Sequence, residues 1–137
     1  MAIEIGLLFL INASISSPPF AGGAISELPK NASYPNYTLR WISEPQNLGQ
    51  TTKSNLRYAR VEIRCFGDPE GSGSDAIDLA TAISADAPAG ISGFSGVLAD
   101  SDATRVSSIF KSNQMDLSID PGTRAYRRMI EFEVNYW

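Results

Sequence analysis

The chain reads as a single α+β domain, residues 1–137, with an antiparallel sheet of four or more strands and two helices packed on one face. Three observations lead there. Two segments repeat their apolar residues at helical spacing, several others alternate apolar and polar residues with period two, and 137 residues suffice for one core but not for two.

The first helix is expected over residues 2–14, where Ile3, Leu7, Leu10 and Ile11 share a face. Its apolar run invites a secretion-signal reading, but Glu4 precedes the run without any Lys or Arg, and the run is too short to cross a bilayer. The Asn-x-Ser/Thr triplets at Asn12, Asn31 and Asn36 are therefore read as chance matches. Residues 16–35 are dense in Ser, Pro, Gly and Asn, which predicts a long irregular connection pinned to the core by Phe20, Ile25, Leu28 and Tyr34.

Tyr37, Leu39 and Trp41 alternate with Thr38 and Arg40, a strand that Pro45 ends. A polar loop follows over residues 46–55. The next strand is clearer: Ala59, Val61, Ile63 and Cys65 occupy one face, and Arg60, Glu62 and Arg64 the other. After a turn over residues 67–73, a second helix is expected over 74–87. Ser74 or Asp75 is its expected cap, Ile77, Ala80, Ile83 and Ala87 its buried stripe, and Pro88 and Gly90 its stop.

Residues 104–113 predict a strand, with 115–119 as its continuation or as a separate short strand. Asp120, Pro121, Gly122 and Thr123 then form a turn. Within the last segment, residues 124–137, Ile130, Phe132, Val134 and Tyr136 alternate with Met129, Glu131, Glu133 and Asn135. No internal repeat is present.

Composition removes much chemistry. There is no His and only one Cys, so the usual zinc spacings and every Cys-His or Ser-His catalytic pair are excluded. Charge is uneven: residues 1–66 carry six Lys/Arg against four Asp/Glu, and residues 67–137 carry five against eleven. A net charge of −4 without a basic run argues against direct nucleic-acid binding.

Four short patterns have plain structural readings. Gly71, Gly73 and Ala76 match a dinucleotide-binding spacing, but Asp68, Glu70, Asp75 and Asp78 would repel a phosphate there, so a turn with a helix cap is expected. Gly93, Ser95 and Gly96 fall short of a nucleophile elbow because Val97 fills its fifth position. Asp100 and Asp102 lack the glycine and terminal Glu of a calcium loop. Cys65, alternating with core residues, reads as an inert buried thiol.

Glu131 and Glu133 share a strand face, and the expected neighbours are Arg60, Glu62 and Arg64. That arrangement predicts a cross-strand charge ladder open to cover by another subunit, and general acid/base work by the two carboxylates is the alternative. Arg124, Tyr126, Arg127, Arg128, Phe132, Tyr136 and Trp137 make the C-terminal segment dense in Arg and aromatic residues, which suggests a docked end.

The succession Leu56-Arg-Tyr-Ala-Arg-Val-Glu-Ile-Arg-Cys-Phe66, an Ala-rich helix, Asp116-Leu-Ser-Ile-Asp-Pro-Gly-Thr-Arg124 and Tyr126-Arg-Arg-Met-Ile-Glu-Phe-Glu-Val-Asn-Tyr-Trp137 resembles the tail terminator, or tail-completion, proteins of long-tailed bacteriophages. The likeness follows element order along nearly the whole chain.

The resemblance implies a non-enzymatic virion protein without cofactor or metal, assembled in the host cytoplasm. It implies a ring, commonly a hexamer, that caps the head-proximal end of the tail tube, stops elongation and presents a surface for head–tail joining. Its partners would be further copies of itself, the tail tube protein and a head connector or stopper. On that reading Arg60, Glu62, Arg64, Glu131 and Glu133 on the sheet, with Gln46, Asn47, Gln50 and Lys53 in the polar loop, are the candidate interface residues. Another head–tail joining protein, a minor tail component, or a small α+β enzyme or binding module using Glu131 and Glu133 are the alternatives.

Overall fold

A computed structural model describes residues 2–15, 23–25, 34–43, 57–71, 73–101, 103–117, 119, 121–122 and 124–136. The element order is α1 (Ala2–Ser14), β1 (Gly23–Ile25), β2 (Asn36–Ser43), β3 (Arg57–Phe66), α2 (Ser74–Ser84), β4 (Gly96–Val97), β5 (Arg105–Leu117) and β6 (Arg127–Tyr136). The six strands form one sheet in the order β1-β2-β3-β6-β5-β4. The expected α+β class holds, with one correction. The sheet is mixed, because β1 runs parallel to β2 while every other pair is antiparallel. Gly23, Ala24 and Ile25 are too short and too small a run for alternation to mark them as a strand.

The long central strands follow the period-two pattern. Ala59, Val61, Ile63 and Cys65 on β3, and Ile130, Phe132, Val134 and Tyr136 on β6, are all buried on one face. Both helices pack on that face. Ile3, Leu7, Ile11 and Ile15 of the first helical segment and Leu79, Ala80 and Ile83 of α2 join the same cluster as Tyr37, Leu39, Val106 and Ile109. Tyr37 ties α1 to the sheet by a hydroxyl that donates to Asn12 Oδ1 at 2.7 Å. Gly6 sits so close to Leu98 that a Cβ would lie 2.9 Å from that side chain's Cβ. A helix residue any larger would lift α1 off the strand end at β4.

The second helix departs from expectation at both ends and in its stripe. Its N-cap is Gly73, at φ +85°, with no side-chain cap. Asp75 instead receives the Asp68 amide at Oδ2 (2.8 Å) and the Ala76 amide at Oδ1 (3.0 Å), locking the preceding turn to the helix start. The helix ends at Ser84, before Pro88, because the returning chain supplies its free carbonyls with partners. The Ile91 amide donates to Ile83 O at 2.9 Å, and the Ser92 amide and hydroxyl donate to Ala85 O and Ser84 O. The buried residues are Ala76, Leu79, Ala80 and Ile83, while Ile77 is 43% exposed and Ala87 lies beyond the helix on the surface.

The strand expected over 104–113 and the start of the 115–119 segment form one strand, β5 (Arg105–Leu117), carrying register shifts at Val106/Ser108 and Lys111/Asn113. β4 was unforeseen; two residues pair Gly96 and Val97 with Val106 and Arg105. Pro121 and Gly122 form the expected turn, while Asp120, Thr123 and Trp137 lie outside the described residues, as do Phe20, Leu28 and the polar loop.

The corrected stripe has a measurable consequence. Leu79→Ala is expected to cost about 2–5 kcal/mol through transfer and cavity terms, whereas Ile77→Ala, at an exposed site, should cost under about 1 kcal/mol. Urea denaturation of the two variants checks the difference.

Candidate functional site

The solvent face of the sheet collects the candidate residues. The β3–β6 register sets Arg60 opposite Glu133, Glu62 opposite Glu131 and Arg64 opposite Met129. All five candidate charges on these strands therefore stand on one face, as period-two alternation requires. The ladder differs from expectation in its pairing. Arg64 has no glutamate across from it and turns instead to Glu62 on its own strand, its Nε donating to Glu62 Oε1. Arg60 reaches diagonally past Glu133 to Glu131, with Nε 3.2 Å from Oε1.

Two carboxylates directly opposite each other on neighbouring strands repel. Here each of the pair, Glu62 and Glu131, has its own arginine, so the four side chains form a neutral set. The glutamate side chains are mostly covered, at 14% and 17% exposed, while Arg60 remains 54% exposed. Glu133 makes no ion pair among the described residues; its neighbours across the strands are Arg60 and the exposed Phe110. Arg40 on β2 extends the row, lying opposite Glu62 on the other side. Chemically, an arginine occupies Glu131, one of the two carboxylates expected for acid/base work, while Glu133 has no ion-pair partner among the described residues. Gln46, Asn47, Gln50 and Lys53 lie outside the described residues.

The remaining motifs take structural roles. The Asp100 carboxylate accepts the Thr104 amide at 2.7 Å and the Thr104 hydroxyl at 2.5 Å, which closes a turn. Ser95 donates its hydroxyl to Val106 O at 3.5 Å. Among the described residues, no group of three or more acidic or Cys side chains could hold a metal ion. No helix among them is long and apolar enough to cross a membrane.

The Arg and aromatic density at the C-terminal segment separates into two uses. Phe132 and Tyr136 are core, and the Tyr136 ring meets Trp41 edge-on at 6.1 Å between centroids. Tyr126, Arg127 and Arg128 instead wall a cavity of about 240 Å³ beside the start of α2, with Gly73, Ile77 and Asp116 on its other sides. Arg128 Nη1 donates to Asp116 Oδ1 at 2.8 Å. Arg124 is exposed and holds φ +61°, in the left-handed region.

Cys65 and Tyr37 face each other across β3 and β2 on the dry side. Burial pushes the Cys65 thiol well above its usual range, and the nearby Arg128 opposes that only in part. Burial likewise raises the Tyr37 hydroxyl, with Cys65 adding to the effect. Neither group is available as a nucleophile near neutral pH.

No protein-family model matches the chain, and no curated protein sequence matches it significantly. Among solved structures, a chain from the virion of a native gene transfer agent (GTA) particle is similar in fold. The TM-score is 0.66 over 98% of this chain and 94% of that chain, at 13% sequence identity.

The diagonal pair is expected to be weak. A double-mutant cycle on Arg60 and Glu131 should return a coupling of about 0.2–1 kcal/mol that shrinks in high salt, with Glu133→Gln nearly silent. Chemical denaturation at two ionic strengths measures both. Alkaline pH should act through the buried acids. The unfolded chain releases the Cys65 proton near its ordinary value of about 9 and the Tyr37 proton near about 10, while the folded chain keeps both. Stability is therefore full below about pH 9 and falls above it, by up to about 1.4 kcal/mol per pH unit for each group. Cys65→Ala should remove the thiol's share of that slope in denaturation curves taken from pH 7 to 11.

Proposed function

We propose that the chain is a structural component of a phage-type virion and acts as a tail terminator. Copies assemble into a closed six-fold ring on the head-proximal end of the tail tube, halt its polymerisation and offer a surface to the head connector. The observation that carries the reading is the fold likeness to a virion chain along almost the full length of both chains. The order of strand patterns that resembles tail terminators points the same way from the sequence alone.

The solvent face of the sheet supports an assembly role over a catalytic one. Within the set of Arg60, Arg64, Glu62 and Glu131 the charges neutralise one another in place, so a neighbouring subunit can cover that set without stranding an unpaired ion. The polar loop over residues 46–54 and the turn over residues 67–73 are assigned to axial partners. A ring subunit needs separate surfaces for its neighbours and for the tube, and a head-to-tail contact whose rotation closes yields a finite cap.

Adding the purified protein to polymerising tail-tube subunits tests the role. Tubes of bounded length with ring density at one end are expected in electron micrographs. Tubes that keep elongating, with both ends bare, overturn it.

A further inference from the structure

The cavity beside the start of α2 holds an arginine whose hydrogen bonding is incomplete. Arg128 lies on the row that sets it opposite Cys65 on β3 and Asp116 on β5, and by alternation it shares the face of Ile130 and Phe132. Asp116 is its one hydrogen-bond partner among the described residues and takes Nη1 alone, at 2.8 Å. Arg128 Nε is buried with no partner. A buried donor on a charged group without an acceptor is costly, and native proteins leave few of them.

The missing acceptor does not come from within the row. Cys65, directly across, is buried, and burial keeps its thiol protonated near neutral pH, so it supplies no counter-charge. The Asp116 side chain is 70% exposed and leaves the other donors of the guanidinium unused. A guanidinium presents five donors in a fixed fork, and a carboxylate that meets two of them at once matches it best.

Size, lining and charge define what the cavity takes. At about 240 Å³ it lies below the roughly 300–1,000 Å³ of pockets that enclose a whole small-molecule ligand, and it has room for one side chain. Ala76, Ile77, Leu117 and Tyr126 give it apolar walls, which suit an aliphatic stem, while Arg127, Arg128 and Asp116 make its polar part. Two guanidinium groups against one carboxylate leave those walls with one positive charge in excess. One further carboxylate neutralises them, whereas a phosphate dianion overshoots. None of Asp68, Glu70, Asp75 and Asp78 walls the cavity, and Asp75 is held by the Asp68 and Ala76 amides. Ile77, at 43% exposed, and Asp116 put the opening at the surface, where another chain can lie across it.

We infer that this cavity receives a single acidic side chain of a partner protein, its carboxylate on the Arg128 guanidinium and its aliphatic stem against Ile77, Leu117 and Tyr126. The inference goes beyond the terminator reading, because it concerns the chemistry the cavity binds and not the assembly to which the partner belongs.

Heteronuclear NMR on the full chain tests it, with N-acetyl-glutamate N-methylamide as the probe and the uncharged glutamine analogue as its control. Binding in the millimolar range is expected for so small a fragment of a protein contact. The probe should shift the Arg128 Nε–H resonance together with the amides of residues 73–77 and 126–128, saturably, while the glutamine analogue leaves them unmoved. Arg128→Lys keeps the charge but loses the fork, and should weaken binding about tenfold. Asp116→Asn, at an exposed site, removes the competing carboxylate and should tighten binding about two- to fivefold. That second variant keeps the test decisive if Arg128→Lys disturbs the circular dichroism of the fold.

The absence of a saturable shift at these residues overturns the inference. Equal binding of the glutamine analogue, unchanged binding by a folded Arg128→Lys, or weaker binding by Asp116→Asn does the same. Butyrate that binds where the blocked glutamate does not reports a site for free small acids, which overturns the side-chain assignment. Tube capping is a separate readout. Protein that binds the probe without capping tubes keeps this site and loses the terminator role, and the reverse result keeps the role and loses the site.

Discussion

The pairing of β3 with β6 is the constraint from which the rest of the molecule follows. It runs from Arg57 opposite Tyr136 to Phe66 opposite Arg127 without a register shift, whereas both flanking pairs, β2–β3 and β5–β6, carry irregularities. Side chains alternate across a sheet, so a slip of β3 by one residue against β6 would carry Val61 and Ile63 into water and bring Glu62 into the core. Burial of one large aliphatic side chain is worth about 1.5–3 kcal/mol, which makes the slipped register prohibitive. Both helices then have a single apolar face to dock on. The solvent face is left to charge.

On the proposed assembly reading, that solvent face is where stability and subunit contact meet. Glu62 and Glu131 stand opposite each other only because the register that buries the core puts them there. Their arginines reach them from different directions, Arg64 along its own strand and Arg60 across a diagonal. In water such pairs contribute little. Under a neighbouring subunit the same arrangement becomes a requirement, since an unpaired carboxylate buried in an interface is costly. The neutral set of Arg60, Arg64, Glu62 and Glu131 can be covered or exposed at small cost. A subunit that joins a ring, as proposed, needs that property.

The other side of the molecule shows how a small domain moors a short helix without conventional caps. Gly73 enters α2 through the left-handed region, Asp75 holds the turn before it, and Ile91 and Ser92 return to take the carbonyls at its far end. Its polar ends are served by the turn before it and by the chain that returns just after it. The short return between α2 and β4 is thus structural. It also brings Gly93 to Ile109.

Legibility in the sequence followed length and regularity. The first helix, the strands around Leu39, Ile63 and Phe132, and the grouping of Arg60, Glu62, Arg64, Glu131 and Glu133 on one face were all readable, because period alone assigns a face once one side must be dry. Two very short strands, β1 and β4, were not readable: two or three residues carry no period, and their pairing depends on chain brought alongside from elsewhere. The buried stripe of α2 was half read: Ala80 and Ile83 are buried as expected, but Ala76 and Leu79 take the places expected of Ile77 and Ala87, since Leu79 and Ile77 are both apolar and only the docking angle chooses between them. Which arginine pairs with which glutamate was also beyond the sequence, because long side chains choose among several carboxylates within reach. The sequence by itself determined the faces, and the tertiary structure decided the partners. Alternation is a property of one strand, whereas register and docking angle exist only between elements.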